Sequence, residues 1–433
     1  MKLSVIGCGY LGAVHATAMA SIGHEVVGID VDPDRIALLS AGKAPFYEPG
    51  FDDLLRETIS TGRLRFTTDP SELETATVHF LAVGTPQRQN EDSADLRYID
   101  AAVESLLPNL AEHSLVVGKS TVPVGTAQRL ASIIEQTGAR LAWNPEFLRE
   151  GFAVQDTLEP DRIVYGVSHP DGAEVELLDR VYAPTLALGV PRLIMDYATA
   201  ELVKVAANAF LATKISFINA MAEIADATGA DVSQLADAIG HDARIGRRFL
   251  NAGLGFGGGC LPKDIRAFAA RGEELGHGAS LRFLREVDEI NLRQRTRLIE
   301  TISEHLDSSV VGRRIAILGL AFKPNSDDTR DSPALEVATR LHAMGAEVIC
   351  YDPEAITTAR AARPHLNFAD SIESALTGAD ITVIATEWDQ FRTLDPAAVS
   401  DLVGQRIVID GRNCLDPALW RAGGWTYRGL GRR

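Results

Sequence analysis

The start of the chain constrains the fold more than any other stretch, because an apolar run, a glycine-rich turn and a helical pattern follow one another directly. Residues 2–7 read K-L-S-V-I-G and lead into G-C-G-Y-L-G, after which A-V-H-A-T-A-M-A-S-I-G has the small residues of a closely packed helix. A second apolar run, H-E-V-V-G-I-D, ends in an acid at position 30. This order predicts a βαβ unit and a parallel sheet.

The glycine spacing in this unit predicts a dinucleotide site. Gly7 suits the turn, Gly9 lets a pyrophosphate approach the backbone, and Gly12 lets the helix pack on the sheet. Asp30 ends the second strand, where a carboxylate hydrogen-bonds a ribose diol and repels a 2′-phosphate. The predicted cofactor is therefore NAD, and the nearby Arg35 leaves NADP as the alternative.

Apolar runs at 78–86, 115–125 and 139–146 continue the strand and helix alternation, and each ends in turn residues. Ligands of a parallel sheet lie beyond the carboxyl ends of its strands. The residues expected around that crevice are Gly84, Thr85, Pro86, Ser120, Thr121, Pro123, Asn144, Glu146 and Glu150. Glu146, between a proline and a phenylalanine at a strand end, is the strongest of these candidates.

The pattern changes near Ala198, where about thirty residues without Gly or Pro carry apolar positions at helical spacing up to Gly229. One long helix is predicted, which joins two domains and offers a face for self-association. Lys204 and Asn208 lie four residues apart among apolar neighbours. The lysine either extends to water or, if buried, needs a partner such as an oxyanion.

Residues 253–264, G-L-G-F-G-G-G-C-L-P-K-D, hold the best candidate for a reactive group. Five glycines in seven residues disfavour helix and strand and let backbone approach a ligand or another segment. Pro262 suits a first helical turn, which places Cys260 at a helix N-terminus, where the thiolate is favoured over the thiol. Asp264 would share a helical face with Cys260.

Three arginines in H-D-A-R-I-G-R-R-F-L-N, at 241–251, precede the glycines and suggest contact with an anion. A second strand and helix alternation opens at 312–322. Its first strand ends in G-L-A-F-K-P, which lacks the second glycine of a pyrophosphate site. The loop K-P-N-S-D-D-T-R-D-S-P would present Lys323 and Arg330 to a cleft. The final R-G-L-G-R-R predicts a loose basic tail.

Composition limits the function classes. With 42 basic and 59 acidic residues, the net charge of −17 disfavours binding to nucleic acid or a membrane surface. The four cysteines are widely spaced, which predicts reduced thiols and no metal site. No apolar run is expected to reach membrane-spanning length, and the chain is predicted to be cytoplasmic.

The motifs together resemble the nucleotide-sugar dehydrogenases. The resemblance rests on G-C-G-Y-L-G, V-G-T-P, K-S-T-V-P-V-G-T, N-P-E-F-L-R-E-G, E-L-V-K-V-A-A-N, G-F-G-G-G-C-L-P-K-D and F-K-P-N-S-D-D-T-R-D-S-P, in order along nearly the whole chain. It implies an α/β fold with two Rossmann-like doubly wound domains, joined by a long central helix and a helical dimerisation region. The expected boundaries are 1–196 for NAD binding, 197–300 for dimerisation and 301–433 for the UDP-sugar.

The resemblance also implies a reaction, the oxidation of the C6 alcohol of UDP-glucose to a carboxylate with two NAD. Cys260 would carry thiohemiacetal and thioester intermediates. Lys204 and Asn208 would stabilise negative charge on the sugar oxygen, Asp264 and Thr121 would hold or activate water, and Glu146 would assist hydrolysis. The division of roles between the two carboxylates stays open.

The same matching assigns binding residues. Those for NAD are Gly7, Gly9, Tyr10, Leu11, Gly12, Asp30, Arg35, Gly84, Thr85, Thr121, Glu150, Lys263 and Arg330. Those for the UDP-sugar are Glu146, Phe147, Leu148, Arg149, Lys204, Asn208, Arg244, Phe249, Asn251, Phe256, Gly257, Cys260, Lys323 and Arg412. Arg244 would reach the substrate of the other subunit in a homodimer.

Three alternatives stay open. Within the family, GDP-mannose is the nearest rival substrate, and UDP-N-acetyl sugars are less favoured because their cysteine loop has a G-G-H-C character absent here. From another class, the chain could be a silent nucleotide-sugar sensor. Intact Cys260, Lys204 and Asp264 disfavour the sensor, since a binding protein needs no reactive thiol.

Overall fold

The computed structural model describes residues 1–432. They form two compact units: one consists of Met1–Ala207 with Ala270–Gly278, and the other of Asn208–Ala269 with the chain from Ala279 onward. Each unit contains one large sheet with helices around it. The α/β fold class predicted from the sequence is confirmed.

The first unit is built on an eight-stranded sheet of order β3-β2-β1-β4-β5-β6-β7-β8. All pairings are parallel except β6 with β7. Its first six strands have the doubly wound order 3-2-1-4-5-6, with the crossover between β1 and β4. The strands are β1 Lys2–Ile6, β2 Glu25–Ile29, β3 Leu64–Thr67, β4 Val78–Leu81, β5 Leu115–Gly118, β6 Arg140–Trp143, β7 Ile163–Gly166 and β8 Arg192–Met195.

Helices cover this sheet, and its inner strands are mostly apolar because both of their faces are buried. Two buried clusters of apolar side chains fill the unit. The helices are α1 Tyr10–Ser21, α2 Pro33–Ser40, α3 Phe51–Ser60, α4 Arg97–Leu106, α5 Thr126–Ile134, α6 Ala153–Leu158, α7 Ala173–Val181 and α8 Ala183–Ala187.

Five helices separate the two sheets in the sequence. They are α9 Tyr197–Thr228, α10 Val232–Gly240, α11 Leu261–Glu274, α12 Gly278–Leu281 and α13 Phe283–Glu304. The 32-residue α9 ends before Gly229, whose φ of +79° terminates it, as the sequence predicts. On length and composition α9 could also cross a membrane. In the most apolar 18-residue window of this helix, 44% is buried inside the protein, as is typical of a core helix.

The second unit contains a six-stranded parallel sheet of order β11-β10-β9-β12-β13-β14. Its strands are β9 Arg314–Leu318, β10 Glu347–Tyr351, β11 Asn367–Phe368, β12 Ile381–Ile384, β13 Ile407–Asp410 and β14 Thr426–Gly429. The helices around it are α14 Pro333–Ala343, α15 Ile356–Ala362, α16 Ile372–Leu376, α17 Asp389–Arg392, α18 Pro396–Val399 and α19 Pro417–Ala422. The doubly wound order of the first sheet is thus repeated.

Asp352 explains how the second sheet differs from a dinucleotide site. It follows β10 as Asp30 follows β2, yet its carboxylate is fully engaged within the protein. It accepts hydrogen bonds from the backbone N–H groups of Leu320, Ala321, Glu354 and Ala355 and from the Trp388 indole. A buried carboxylate with five donors holds loops together and has no capacity left for a ribose.

The predicted loose tail is wrong as far as Arg432, and residue 433 lies outside the described residues. Residues 426–429 form β14, the edge strand of the second sheet. Arg428 and Arg432 pair with Asp226 and Asp231 of the central helical region, and the Gly431 N–H donates to Asp226. Basic side chains that look solvated in the sequence are therefore ordered by acids about two hundred residues away.

Candidate functional site

The turn after β1 fits a pyrophosphate. Gly7 has φ +89°, and a Cβ on Gly12 would lie 1.8 Å from the Gly7 carbonyl oxygen, so both positions exclude side chains. Gly9 precedes α1, and a Cβ added at this position would have no heavy atom of the protein within 4 Å. The protein itself therefore does not require glycine there, whereas an anion at the helix N-terminus would.

Asp30 stands at the end of β2 beside this turn. Its Oδ2 accepts hydrogen bonds from the Cys8 N–H at 2.7 Å and from Arg35 Nη1 at 2.9 Å, and its Oδ1 accepts one from the Asp32 N–H. The side chain is buried and the pairing with Arg35 is direct. Arg35 thus neutralises the acid, a contact that the sequence analysis did not predict.

Glu48 is a buried residue that the sequence reasoning missed. Its carboxylate accepts a hydrogen bond from the hydroxyl of Tyr10, the first residue of α1, and others from the N–H groups of Gly151 and Ala153. It therefore ties the glycine turn to the segment after Glu150. A glutamate in the turn-rich F-Y-E-P-G offers no periodic signal of burial.

Gly9 and Gly12 give a matched prediction. We expect Gly9→Ala to change the unfolding free energy by less than about 0.5 kcal/mol, because its Cβ meets open space. The KM for NAD should nevertheless rise on the order of tenfold or more. Gly12→Ala should destabilise the protein by roughly 1–3 kcal/mol. Urea denaturation and NAD titration check both, and equal destabilisation by the two changes would contradict the assignment of Gly9.

The next two strand ends are joined by hydroxyl groups. Thr85 Oγ1 donates to the Thr121 carbonyl at 2.6 Å, and Ser120 Oγ donates to the Val83 carbonyl at 2.6 Å. A Cβ added at Gly84 would have no heavy atom of the protein within 4 Å. The predicted residues after β4 and β5 therefore lie side by side, while their roles in binding stay predictions.

Glu146 and Lys204 form an ion pair that the sequence did not predict. Lys204 Nζ lies 2.9 Å from Glu146 Oε1, with 7% and 14% of the two side chains exposed. Glu146 Oε2 accepts a hydrogen bond from the Leu148 N–H at 2.8 Å. The buried lysine on α9 was expected to have an oxyanion partner, and in this structure a carboxylate of the same unit fills that place.

Of the residues that follow Glu146, Phe147 lies near Lys204, whereas Arg149 pairs with another side chain. Lys204 Nζ lies 5.7 Å from the centre of the Phe147 ring, and the Arg162 guanidinium lies 3.8 Å from it. Arg149 instead pairs with Asp156 in a fork of two hydrogen bonds. In this structure Arg149 is thus satisfied locally.

Lys119, directly after β5, is a second buried lysine that the sequence reasoning passed over. Its Nζ donates to Asn144 Oδ1 at 2.9 Å and lies 3.4 Å from the Asn144 carbonyl and from Tyr182 Oη. Burial lowers its pKa to about 8, against the opposing effect of the Glu146 carboxylate. The signal was a lysine in an otherwise apolar strand end, which must be paired if buried.

This pKa predicts a pH dependence of stability. Lys119 is depressed from an ordinary pKa of 10.5, so the folded state binds fewer protons than the unfolded state between about pH 8 and 10.5. The cost to the stability of the fold of burying the charged lysine is fully present below pH 8, and it disappears as the pH rises to 10.5. We expect the stability of Lys119→Met relative to the parent protein to fall by about 3 kcal/mol over this range. A constant difference in urea denaturation at each pH would contradict this.

In the second unit, the glycines at 253–259 allow close approach of other segments. A Cβ on Gly257 would lie 2.2 Å from the Asp331 carbonyl oxygen, and one on Gly259 would lie 2.5 Å from the Arg330 guanidinium carbon. Gly258 has φ +84° and donates its N–H to the Arg330 carbonyl. The glycines therefore meet the loop that follows β9.

Three asparagines fix this glycine stretch. Asn291 on α13 accepts from the Phe256 N–H at 2.8 Å and donates to its carbonyl at 3.0 Å. Asn219 accepts from the Gly253 N–H, and Asn413 donates to the Ala252 carbonyl. Asn219 and Asn291 had a signal in the sequence, a polar residue among apolar residues of a helix, whereas Asn413 lies outside the helices.

Cys260 lies where the sequence places it, immediately before α11. Its carbonyl accepts the Asp264 N–H at 3.0 Å, which makes it the first helical acceptor, and the residue is exposed. The Asp264 carboxylate is buried and accepts from Asn208 Nδ2 at 2.7 Å and from Lys263 Nζ at 2.5 Å. Lys263 was expected to bind the cofactor, and here it pairs with Asp264.

Arg412, after β13, holds the glycine stretch against the second sheet. Its guanidinium donates to the carbonyls of Ala385, Gly255 and Phe322. Lys323 Nζ lies 5.4 Å from the centre of the Phe322 ring. These two predicted sugar-site residues thus share Phe322 as a neighbour.

The predicted residues before the glycines are more open. The Arg244 side chain is 89% exposed and pairs with Asp242. Asn251 accepts from Arg247, and Phe249 has φ +65° and is partly exposed. The structure of a single chain does not bring Arg244 to the other candidates.

Comparison with known proteins places these features in one family. Three domains of the UDP-glucose/GDP-mannose dehydrogenase family match the chain: the NAD-binding domain at 1–186, the central domain at 198–293 and the UDP-binding domain at 316–417. These ranges resemble the predicted boundaries, which stay predictions.

Two curated relatives named UDP-glucose 6-dehydrogenase match all of this chain. The one from Rhizobium meliloti is 40% identical and fully covered, and the one from Pseudomonas aeruginosa is 41% identical with 98% covered. A solved UDP-glucose dehydrogenase from Pyrobaculum islandicum is 39% identical over the whole chain and 98% of its own, with a TM-score of 0.90. The fold and site define an NAD-dependent dehydrogenase. The chain belongs to the UDP-glucose/GDP-mannose dehydrogenase family.

Proposed function

We propose that this chain oxidises the C6 alcohol of UDP-glucose to a carboxylate, giving UDP-glucuronate. The observation that carries the proposal is the exposed Cys260 at the start of α11, with the buried Asp264 and Asn208 paired one turn further on. The names of the full-length relatives favour UDP-glucose as the substrate. GDP-mannose, which the family description also includes, is the second candidate.

The helix start explains the reactivity of Cys260. The aligned peptides of α11 place partial positive charge at its N-terminus, which favours the thiolate. Pro262 in the first turn lacks an N–H that would otherwise have no helical partner. The preceding glycines let the loop that follows β9 approach the backbone just before the sulfur, since their Cα atoms carry no side chains.

The chemistry runs through a covalent bond to this sulfur. Loss of a hydride and a proton turns the C6 alcohol into an aldehyde, and Sγ adds to its carbon while the oxygen takes up a proton. Loss of a second hydride and that proton gives a thioester. Water then attacks the carbonyl, the C–S bond breaks, and carboxylate and thiolate result. NAD, when bound, accepts one hydride in each oxidation.

The remaining side chains hold charge and protons. Lys204 and Asn208 would donate to the sugar oxygen as negative charge develops on it. Glu146, held at its other oxygen by the Leu148 N–H, would accept a proton from the attacking water. Asp264 and Thr121 would position that water, and Asp264 is already oriented by two donors.

The first unit supplies the NAD site. The open Gly9, the positive φ of Gly7 and the Asp30 carboxylate fit the pyrophosphate and the ribose diol. Gly84, Thr85, Thr121 and Glu150 would line the same end of the sheet. All four cysteines are thiols, which suits a reducing compartment, and we place the protein in the cytoplasm.

The exposed face of α9 would form a homodimer. Phe210, Phe217 and Ile224 recur every seven residues, so they share one side of the helix, and they are 66%, 47% and 58% exposed. Large apolar side chains in such a row are covered when a second copy of the chain packs against them. Dimerisation would also give Arg244 access to the substrate of the partner.

A substitution on α9 tests the dimer. We expect Phe217→Glu to convert the dimer to a monomer, because a charge would be buried at the interface. Leu419→Glu, at an apolar residue on α19 that is 53% exposed, is the matched control and should leave the dimer intact. Light scattering after size exclusion measures the mass. A monomeric parent protein would contradict the proposal.

The substrate is tested by counting NADH. UDP-glucose, GDP-mannose and UDP-N-acetyl sugars are each incubated with the protein and excess NAD, and NADH is followed by its absorbance. Two NADH per UDP-glucose, with much slower reaction of the others, is the expected result. One NADH per sugar would contradict the thioester route, and none with any sugar would favour the sensor.

A further inference from the structure

Lys119 is a buried cation of the first unit for which the proposed reaction gives no role. It lies at the end of β5, is 7% exposed, and its Nζ lies within 3.4 Å of three uncharged oxygen atoms. A buried ammonium is costly unless its protons are bound. Three acceptors match its three protons, so the cage is built for a lysine.

The cage is centred on Asn144, the residue after β6. Asn144 Oδ1 accepts from Lys119 Nζ at 2.9 Å and from Tyr182 Oη at 2.6 Å, while its Nδ2 donates to the Val164 carbonyl at 2.8 Å. Every polar atom of this side chain is therefore used. Since Asn144 and Glu146 are separated only by a proline, the cage fixes the point from which Glu146 projects.

The charges around Lys119 come from three other elements. Glu146 follows β6 and raises the pKa of Lys119, whereas Lys204 on α9 lowers it. His15 on α1 is completely buried and its pKa is far below the ordinary value because of that burial, so the ring is neutral. Tyr182 stays a phenol because burial raises its pKa. Glu146 is thus the one anion among these groups, opposite two lysines.

We propose that Lys119 is a positioning residue of the Glu146–Lys204 pair: it fixes the end of β6 through Asn144, and its positive charge opposes protonation of the Glu146 carboxylate. The proposal rests on the proposed function, in which Glu146 accepts a proton from water. Because Lys204 occupies one oxygen of Glu146, a second cation lets the carboxylate stay ionised when Lys204 turns to the substrate.

The test compares Lys119→Met with Tyr182→Phe. Methionine removes the charge at similar length, whereas phenylalanine keeps the charge of Lys119 and removes the hydroxyl group that contacts both Asn144 and Lys119. For Lys119→Met we expect kcat to fall about tenfold, with the KM of UDP-glucose unchanged within about twofold. The acid limb of its kcat profile should move to higher pH by about one pH unit, since the carboxylate loses a cation. In Tyr182→Phe that limb should keep its position.

An acid limb at the parental position in Lys119→Met would overturn the proposal, and so would an equal shift in Tyr182→Phe. The rates are measured with whichever nucleotide sugar the parent protein oxidises fastest, so a wrong choice of sugar leaves the comparison valid.

A second readout needs no turnover. In an infrared pH titration, the protonated-carboxyl band that Glu146→Gln removes should appear at higher pH in Lys119→Met than in the parent protein. An inactive parent with this shift present would contradict only the proposed function, and an unshifted band would contradict the role of Lys119.

Discussion

Cys260→Ser is expected to abolish steady turnover, with kcat lower on the order of 10³-fold or more. Serine keeps the size of the side chain, but its hydroxyl stays protonated even at the start of α11, so it cannot hold the half-oxidised sugar. At most one slow oxidation per site should remain. NADH absorbance distinguishes one slow oxidation per site, seen in a single-turnover experiment, from continued turnover in the steady state.

Cys414→Ser is the control, because Cys414 is partly buried and contacts Asp410 in the second unit. It should retain parental kcat. Acid quench of the parent protein during turnover, followed by mass spectrometry, should find the sugar acid attached to the peptide that contains Cys260. Steady release of two NADH per sugar by Cys260→Ser would show that the sulfur is not the nucleophile.

Lys204→Met is expected to lower kcat by about 10²–10³-fold, the effect of losing one donor to a developing oxyanion. The same change removes the direct ion-pair partner of the buried Glu146 carboxylate. The unfolding free energy should therefore fall by about 3–5 kcal/mol. Kinetics and urea denaturation measure the two effects on the same sample.

The double variant Lys204→Met with Glu146→Gln tests whether the lost stability comes from the unpaired carboxylate. Glutamine is neutral and its oxygen can still accept from the Leu148 N–H, so most of the lost stability should return. Turnover should not return, because Lys204 and Glu146 both have roles in the proposed reaction. If the double variant recovered both stability and kcat, Lys204 would be a structural partner of Glu146 and the oxyanion role would be wrong.

Local patterns in the sequence were sufficient for the elements and for several candidate positions. The helix start after Cys260, the long helix up to Gly229 and strands β1, β2, β4, β5, β6 and β9 follow from glycine and proline positions and apolar periodicity. Edge strands such as β8 and β14 escaped detection, because they are short and partly exposed. Their apolar pattern is accordingly weak.

Contacts between distant segments could not be predicted. Nothing in the sequence pairs Glu146 with Lys204, places Lys119 on Asn144, or sets Asn291 against Phe256. The two residues of each pair are separated by at least 25 residues, and no local pattern links one to the other. Arg428 and Arg432 show the same limit, since their acidic partners lie in the central helices.

The sequence by itself determined the class of fold, the glycine turn and the position of Cys260 at a helix start, because turns, caps and periodicity depend on neighbouring residues. Only the tertiary structure decided which charges are paired and buried. A buried ion needs a specific partner, and the chain path through the sheets selects that partner from residues far away in the sequence. The proton affinity of groups such as Lys119 follows from that selection, since burial and nearby charge set it.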